Sequence, residues 1–249
     1  MSIIFKESFF KELGTIELDK PTGQLSGHNA GEPFSEKIYK FLKERKKENI
    51  FKQFEYLNKI LKENNKKKEF FNSTFGFIIH RGKKALKEWS EDKPFTEKQN
   101  DTADILYIDD KTNGIIDIKT TNIEKKGQPP NIISSLKVAK ICKRLIENKD
   151  DEKIEFNYVG IDWQLKNNKL ISHKISVIDL FKIDPKTIYI NWAAALQIQF
   201  HVNKVDQSYT NNKIDWAKDY LKKFSSSGKE RIISQQKNFI DPFKDLIND

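Results

Sequence analysis

The chain has 249 residues, with 45 Lys+Arg against 36 Asp+Glu, for a formal net charge of +9. That length allows one large domain or two small ones, and 37% hydrophobic with 12% aromatic residues is too apolar for a disordered chain. A single cysteine, Cys142, excludes an internal disulfide framework and a Cys-rich zinc module.

The apolar run after Met1 is too short for a signal peptide, and no stretch approaches the ~20 apolar residues of a membrane span. A soluble, cytoplasmic protein is expected. The basic excess is almost entirely lysine, because Arg45, Arg81, Arg144 and Arg231 are the only arginines. A lysine excess can follow from an AT-rich coding sequence. It also suits a polyanionic partner, since lysines that neutralise phosphates release counterions.

No internal repeat or long Gly/Ser/Pro linker breaks the chain, so one integrated domain over residues 1–249 is expected. In chain order, Lys20–Pro33 is turn-rich and predicts an exposed loop. Helical spacing follows at Phe34, Ile38, Phe41 and Leu42, then at Phe51, Phe54, Leu57 and Leu61. The charged run Lys62–Glu69 reads as a solvated helix end or loop. Ala103–Ile108 and Ile115–Thr120 read as strands around the turn Asp109–Gly114. Asn131–Asn148 has helical spacing, strands fit Ile154–Leu165 and Lys169–Val177, and the chain from Trp216 onward reads as helical. A strand-rich centre between helices predicts an α/β or α+β architecture. Thr187–Asn203 holds no charged residue in a chain that is 33% charged, yet contains Asn191, Gln197, Gln199 and His201. It reads either as a buried element with paired polar groups or as a surface that faces base edges.

The central hairpin carries the chemistry. Asp117 and Lys119 lie two apart on one strand and so share a face, while Ile116 and Ile118 point into the core. If the turn pairs Ile108 with Ile115, Asp104 falls opposite Lys119 and diagonal to Asp117, at the ~7–8 Å of a diagonal neighbour. Two carboxylates and a lysine on one sheet face suit metal-assisted phosphodiester hydrolysis. The backbone carbonyl of Ile118 is a further candidate oxygen ligand. Asp-x-Lys alone is a common pattern that also fits a surface ion pair. The second Asp, thirteen residues upstream, makes it more specific.

Asp104-x12-Asp117-Ile118-Lys119 resembles the PD-(D/E)xK nuclease core, with Ala103 in place of the proline of that name. Longer stretches resemble one group within it, the HincII-like (HindII) type II restriction endonucleases. They are Leu25–Phe34 (LSGHNAGEPF), Glu97–Leu106 (EKQNDTADIL), Pro130–Ser134 (PNIIS), Tyr189–Ala195 (YINWAAA) and Gln197–His201 (QIQFH), and they span nearly the whole chain. The resemblance implies a restriction-endonuclease-like core, a mixed central β-sheet flanked by helices. It further implies a homodimer that cuts both strands of duplex DNA at GTYRAC, blunt between Y and R, for defence against foreign DNA. The implied cofactor is Mg²⁺, with Mn²⁺ able to substitute, and the implied functional partner is a DNA methyltransferase.

By the same resemblance Asp104 and Asp117 are metal ligands and Lys119 is the catalytic lysine. Gln128 intercalates beside the site, Asn131 and Asn191 contact bases, and Gln99 belongs to a DNA-facing segment coupled to the first Asp. Gly127 and Thr121 depart from the expected alanine and arginine. From the residues alone Asn131 also fits a helix N-cap, Asn191 a buried amide, and Gln128 an ordinary loop residue. His80, His173 and His201 lack metal-ligand spacing. A DNA-binding protein without cleavage, and a structure-specific repair nuclease on the same core, are the alternatives.

Overall fold

The computed structural model describes residues 6–23, 25, 27–63, 67–82, 94–98, 101–125, 127, 129–148, 153–193 and 196–247. The order is α1 (Glu7–Phe10), β1 (Glu17–Asp19), α2 (Gly27–Arg45), β2 (Ile50–Phe51), α3 (Gln53–Lys62), α4 (Lys67–Asn72) and α5 (Thr74–Ile79). Then come β3 (Ile105–Ile108), β4 (Asn113–Asn122), β5 (Asn131–Ser134), α6 (Ser135–Asn148), β6 (Ile154–Lys166) and β7 (Lys169–Asp179). Strands β8 (Tyr189–Asn191) and β9 (Gln197–Gln199) and helix α7 (Lys213–Gln235) follow. Among the described residues no helix is long and apolar enough to cross a membrane.

Six strands form a mixed sheet in the order β1-β7-β6-β4-β3-β2. Only β4 and β6 run parallel, and the crossover between them carries β5 and α6. Helices cover both faces, which is why the central strands read as near-continuous apolar runs rather than clean alternations. Leu106, Ile115, Phe156 and Tyr158 join one buried cluster with Val138, Leu145 and Trp216. Ile105, Ile116, Ile118 and Val159 face the other cluster, with Phe34, Ile38 and Leu42 of α2. The β6–β7 hairpin turns at Asn167 and Asn168, both at positive φ (50° and 60°). Asparagine tolerates that conformation, which matches the twist of the flanking strands. A second, three-stranded antiparallel sheet β5-β9-β8 stands beside the first.

Several expectations need correction. Phe51, foreseen on a helix with Phe54, Leu57 and Leu61, lies in β2, where Ile50–Phe51 pairs with β3, and the helix starts at Gln53. The loop foreseen over Lys20–Pro33 gives way to helix at Gly27, with Pro33 inside it. Packing outweighs the breakers: Ala30 and Phe34 are buried, and a Cβ on Gly31 would sit 3.5 Å from Thr120 Oγ1 on β4. The helix foreseen from Asn131 begins only at Ser135, because Asn131–Ser134 pairs with β9. Asn131 is therefore a strand residue, not an N-cap. The β3–β4 turn is also shorter than expected. Asp109 Oδ1 accepts from Lys111 N and Thr112 N at 2.8 and 2.7 Å, an Asx-type closure, and Asn113 and Gly114 join the ladder.

Candidate active site

The shorter turn shifts the hairpin register by two. Ile105 pairs with Ile116 and Ile108 with Asn113. Asp104 then lies beside Asp117 rather than opposite Lys119. An even shift preserves the face of every side chain, so the shared face survives the correction. Strand β3 begins at Ile105, and just before it the Asp104 side chain takes the place of a ladder bond: its Oδ2 accepts from Ile118 N at 2.7 Å. Lys119 Nζ stands 2.8 Å from Asp117 Oδ2.

The three groups are poorly hydrated. Burial first, and then the neighbouring Asp117 charge, push the Asp104 carboxyl up to about 7. Burial also raises Asp117, against the pull of Lys119. Burial works against the Lys119 ammonium, but Asp117 and then Asp104 outweigh it and hold its pKa above the ordinary lysine value. Two adjacent desolvated carboxylates with one ammonium leave net negative charge unmatched. A divalent cation fits that imbalance. Among the described residues no three His, Cys, Asp or Glu side chains cluster as a ready-made cage. Two carboxylates without a histidine or cysteine partner suit a hard divalent cation better than zinc.

The segment that delivers Asp104 is tied down from outside the hairpin. Gln53, only 2% exposed, accepts from Ala103 N at 2.9 Å and donates to Ile79 O at 2.8 Å. Arg81 grips Asp101 in two 2.6 Å bonds, and Thr102 Oγ1 donates to Ile78 O at 3.0 Å. Sequence reasoning missed Gln53, Arg81 and Asp101. The scarcity of arginine was the available signal: Arg81 is one of four.

These elements floor an open cleft of about 1440 Å³. Asp104, Asp117 and Lys119 lie in it, α2 residues Asn29–Glu36 line one side, and Asn131–Ser134 line another. Lys52 crosses its margin to Glu36 and Glu97 at 3.1 and 3.2 Å. On the smaller sheet, exposed Asn131 accepts through Oδ1 from Gln199 Nε2 at 2.8 Å. Gln199 Oε1 accepts from Asn191 Nδ2 at 3.2 Å. Asn131 and Asn191 are thus brought together through Gln199, with Asn131 and Gln197 in the cleft wall. Gln99 and Gln128 lie outside the described residues.

A protein-family model for restriction endonuclease HincII matches residues 11–247, nearly the full chain. The chain belongs to the HincII restriction endonuclease family. Two curated relatives agree with it. "Type II restriction enzyme HindII" of Haemophilus influenzae (strain KW20/Rd) is 45% identical over 233 residues, covering 91% of this chain and 90% of the relative. "Type II restriction enzyme HincII" of Haemophilus influenzae matches at the same identity and coverage. Family membership fixes the class as a type II restriction endonuclease, a DNA-acting hydrolase, and accords with the mixed sheet flanked by helices.

Proposed function

We propose that this single-domain chain is a Mg²⁺-dependent type II restriction endonuclease that acts as a homodimer on GTYRAC and leaves blunt ends between Y and R. One observation carries the reading: Asp104, Asp117 and Lys119 meet on the floor of a cleft whose wall presents Asn131. Site specificity is also supported by two relatives that bear the names of type II restriction enzymes.

Asp104, Asp117 and the Ile118 carbonyl would hold the ion. Bound there, Mg²⁺ supplies Lewis-acid polarisation of the phosphate and lowers the pKa of water. Asp104 Oδ2 is engaged by the Ile118 amide, which leaves Oδ1 as the oxygen that would hold the ion. Lys119 stays protonated against Asp117 and donates to the phosphoryl oxygen as negative charge builds. Water attacks phosphorus and gives up a proton to solvent, the P–O3′ bond breaks, the 3′ oxygen takes up a proton from solvent to become a hydroxyl, and the product keeps a 5′ phosphate. Asn131 is exposed and its Oδ1 is engaged by Gln199, which leaves its NH₂ donor for acceptors on a base edge. A central pyrimidine–purine step unstacks easily, which suits insertion of Gln128 beside the site and recognition by deformability. A two-fold dimer gives one active site per strand. Mn²⁺ substitutes for Mg²⁺, and a methyltransferase of matching specificity protects host DNA in the bacterial cytoplasm.

The test is digestion of unmethylated phage-sized DNA with Mg²⁺, beside an EDTA control and Asp117→Ala, with fragment ends sequenced. Blunt fragments ending in GTY and RAC, absent from both controls, are expected. Discrete fragments with other ends overturn the site, and nicking without discrete fragments points to a repair nuclease. Tight salt-sensitive binding without cleavage points to a binding protein.

A further inference from the structure

Lys137 stands in the first turn of α6, three residues past the end of β5, and lines the cleft. Its backbone N–H donates to Ser134 Oγ at 3.4 Å, and its side chain is half-buried. The ammonium donates to Thr102 Oγ1, two residues before Asp104. Thr102 in turn spends its own proton on Ile78 O. The lysine therefore leans on a neutral acceptor, and none of the ion pairs among the described residues includes it. Asp101 is the acid whose field reaches it, but that carboxylate is occupied by Arg81. Burial pushes the ammonium down to about 8, the mark of a cation without enough counter-charge. Such a group is a poor choice for stability, since a desolvated charge without an ionic partner costs more than it returns. In a cleft that takes a polyanion, the missing counter-charge arrives with the ligand.

We propose that Lys137, aimed by Thr102, is a DNA backbone-phosphate contact at the junction between base-reading strand β5 and the Asp104 segment. The proposal rests on the DNA-cleaving reading and extends it to a residue outside the Asp/Asp/Lys set. A phosphate seated there touches an ammonium held by Thr102 on a residue whose backbone is tied to Ser134. Docking along β5 is then transmitted to the segment that holds Asp104. Thr102 is a positioning residue: it holds the ammonium in place and contributes no charge.

The test measures binding to a fluorescent 30-mer duplex with EDTA present, so that nothing is cut, across a series of NaCl concentrations. Wild type, Lys137→Met, Lys137→Gln, Lys137→Arg and Thr102→Val are compared, with melting temperatures measured alongside. The substitution removes one phosphate contact from each protomer of the dimer, so the log Kd against log salt slope becomes shallower by about 1.8, at about 0.9 per contact. That change is expected for Lys137→Met and Lys137→Gln on duplexes with and without GTYRAC, at an unchanged or raised melting temperature. Lys137→Arg keeps the wild-type slope. Thr102→Val keeps the slope but weakens binding and slows single-turnover cleavage. If both neutral variants bind with the wild-type slope, the proposal is wrong. If they bind normally but melt lower, Lys137 is only a structural strut and the proposal also fails. Failure of the wild type to bind any duplex strikes the DNA-cleaving reading instead, and so is distinguishable.

Discussion

Gln53→Leu isolates the support of Asp104 from the active-site groups themselves. The leucine has similar volume and removes the hydrogen bonds with Ala103 N, Ile79 O and Asp101 Oδ1 of a side chain that is 2% exposed. Ala103 N, on a residue 1% exposed, loses its acceptor, and Ile79 O loses its donor. At ~1–3 kcal/mol for each buried group left unpaired, the loss is roughly 2–6 kcal/mol, large against the ~5–15 kcal/mol of a typical domain. Ala103 immediately precedes Asp104, so a freed segment also misplaces the carboxylate. Displacement of about 1 Å in a catalytic group costs on the order of 10²-fold in rate. Urea unfolding reads the first effect, and single-turnover cleavage at low temperature, where the variant is still folded, reads the second. Gln53→Glu keeps the acceptor for Ala103 N while losing the donor to Ile79 O. It is expected to cleave faster than Gln53→Leu although it too is destabilised. Should Gln53→Leu unfold within 0.5 kcal/mol of wild type and cleave at the same rate, the segment is held by other means and the reasoning fails.

Asp104 ties stability to pH. Its folded carboxyl is raised to about 7 from 3.8, so the folded state keeps a proton that the unfolded chain releases. Stability therefore falls as pH rises through that window. The metal-free melting temperature of wild type should drop across it more steeply than that of Asp104→Asn, and Mg²⁺ should restore the loss at the alkaline end; equal slopes would sink the assignment. Asp104→Asn and Asp117→Asn should abolish cleavage yet leave duplex binding intact, as gel shifts in EDTA would report. Asn131→Ala removes the acceptor for Gln199 Nε2 and should reduce discrimination between GTYRAC and one-base variants by ~1–3 kcal/mol, with non-specific affinity unchanged in competition binding. Gly160→Ala places a Cβ 2.6 Å from Val202 Cβ and Cγ1, and calorimetry should register a destabilisation of about 1–3 kcal/mol from overpacking.

What could be read from the residues followed from local chemistry. Strand parity put Asp104, Asp117 and Lys119 on one face without a correct register, because a shift of two leaves every face unchanged. The β6–β7 hairpin and α7 were legible from apolar runs. The start of α2 was not, since Pro33 and Gly31 signal a loop until β4 is in place to pack against. Strand β5 was lost inside helical spacing because its partner Gln199 lies 68 residues away. Gln53 reaches Ala103 across 50 residues, and nothing near either residue announces the pairing. Gln128 and Gln99 were singled out through resemblance alone.

The amide chain from Asn131 through Gln199 to Asn191 has a consequence for anyone who wishes to re-aim such a cleft. The Asn131 amide is held through Oδ1 by a residue on another strand, which is itself held by a third. On the proposed reading, base preference is a shared property of three strands. Replacing one amide strands its neighbour, and the penalty masks any new contact the replacement makes. Libraries that vary positions 131, 191 and 199 together, with strong epistasis expected among them, have a route to altered sites that single-position scans do not.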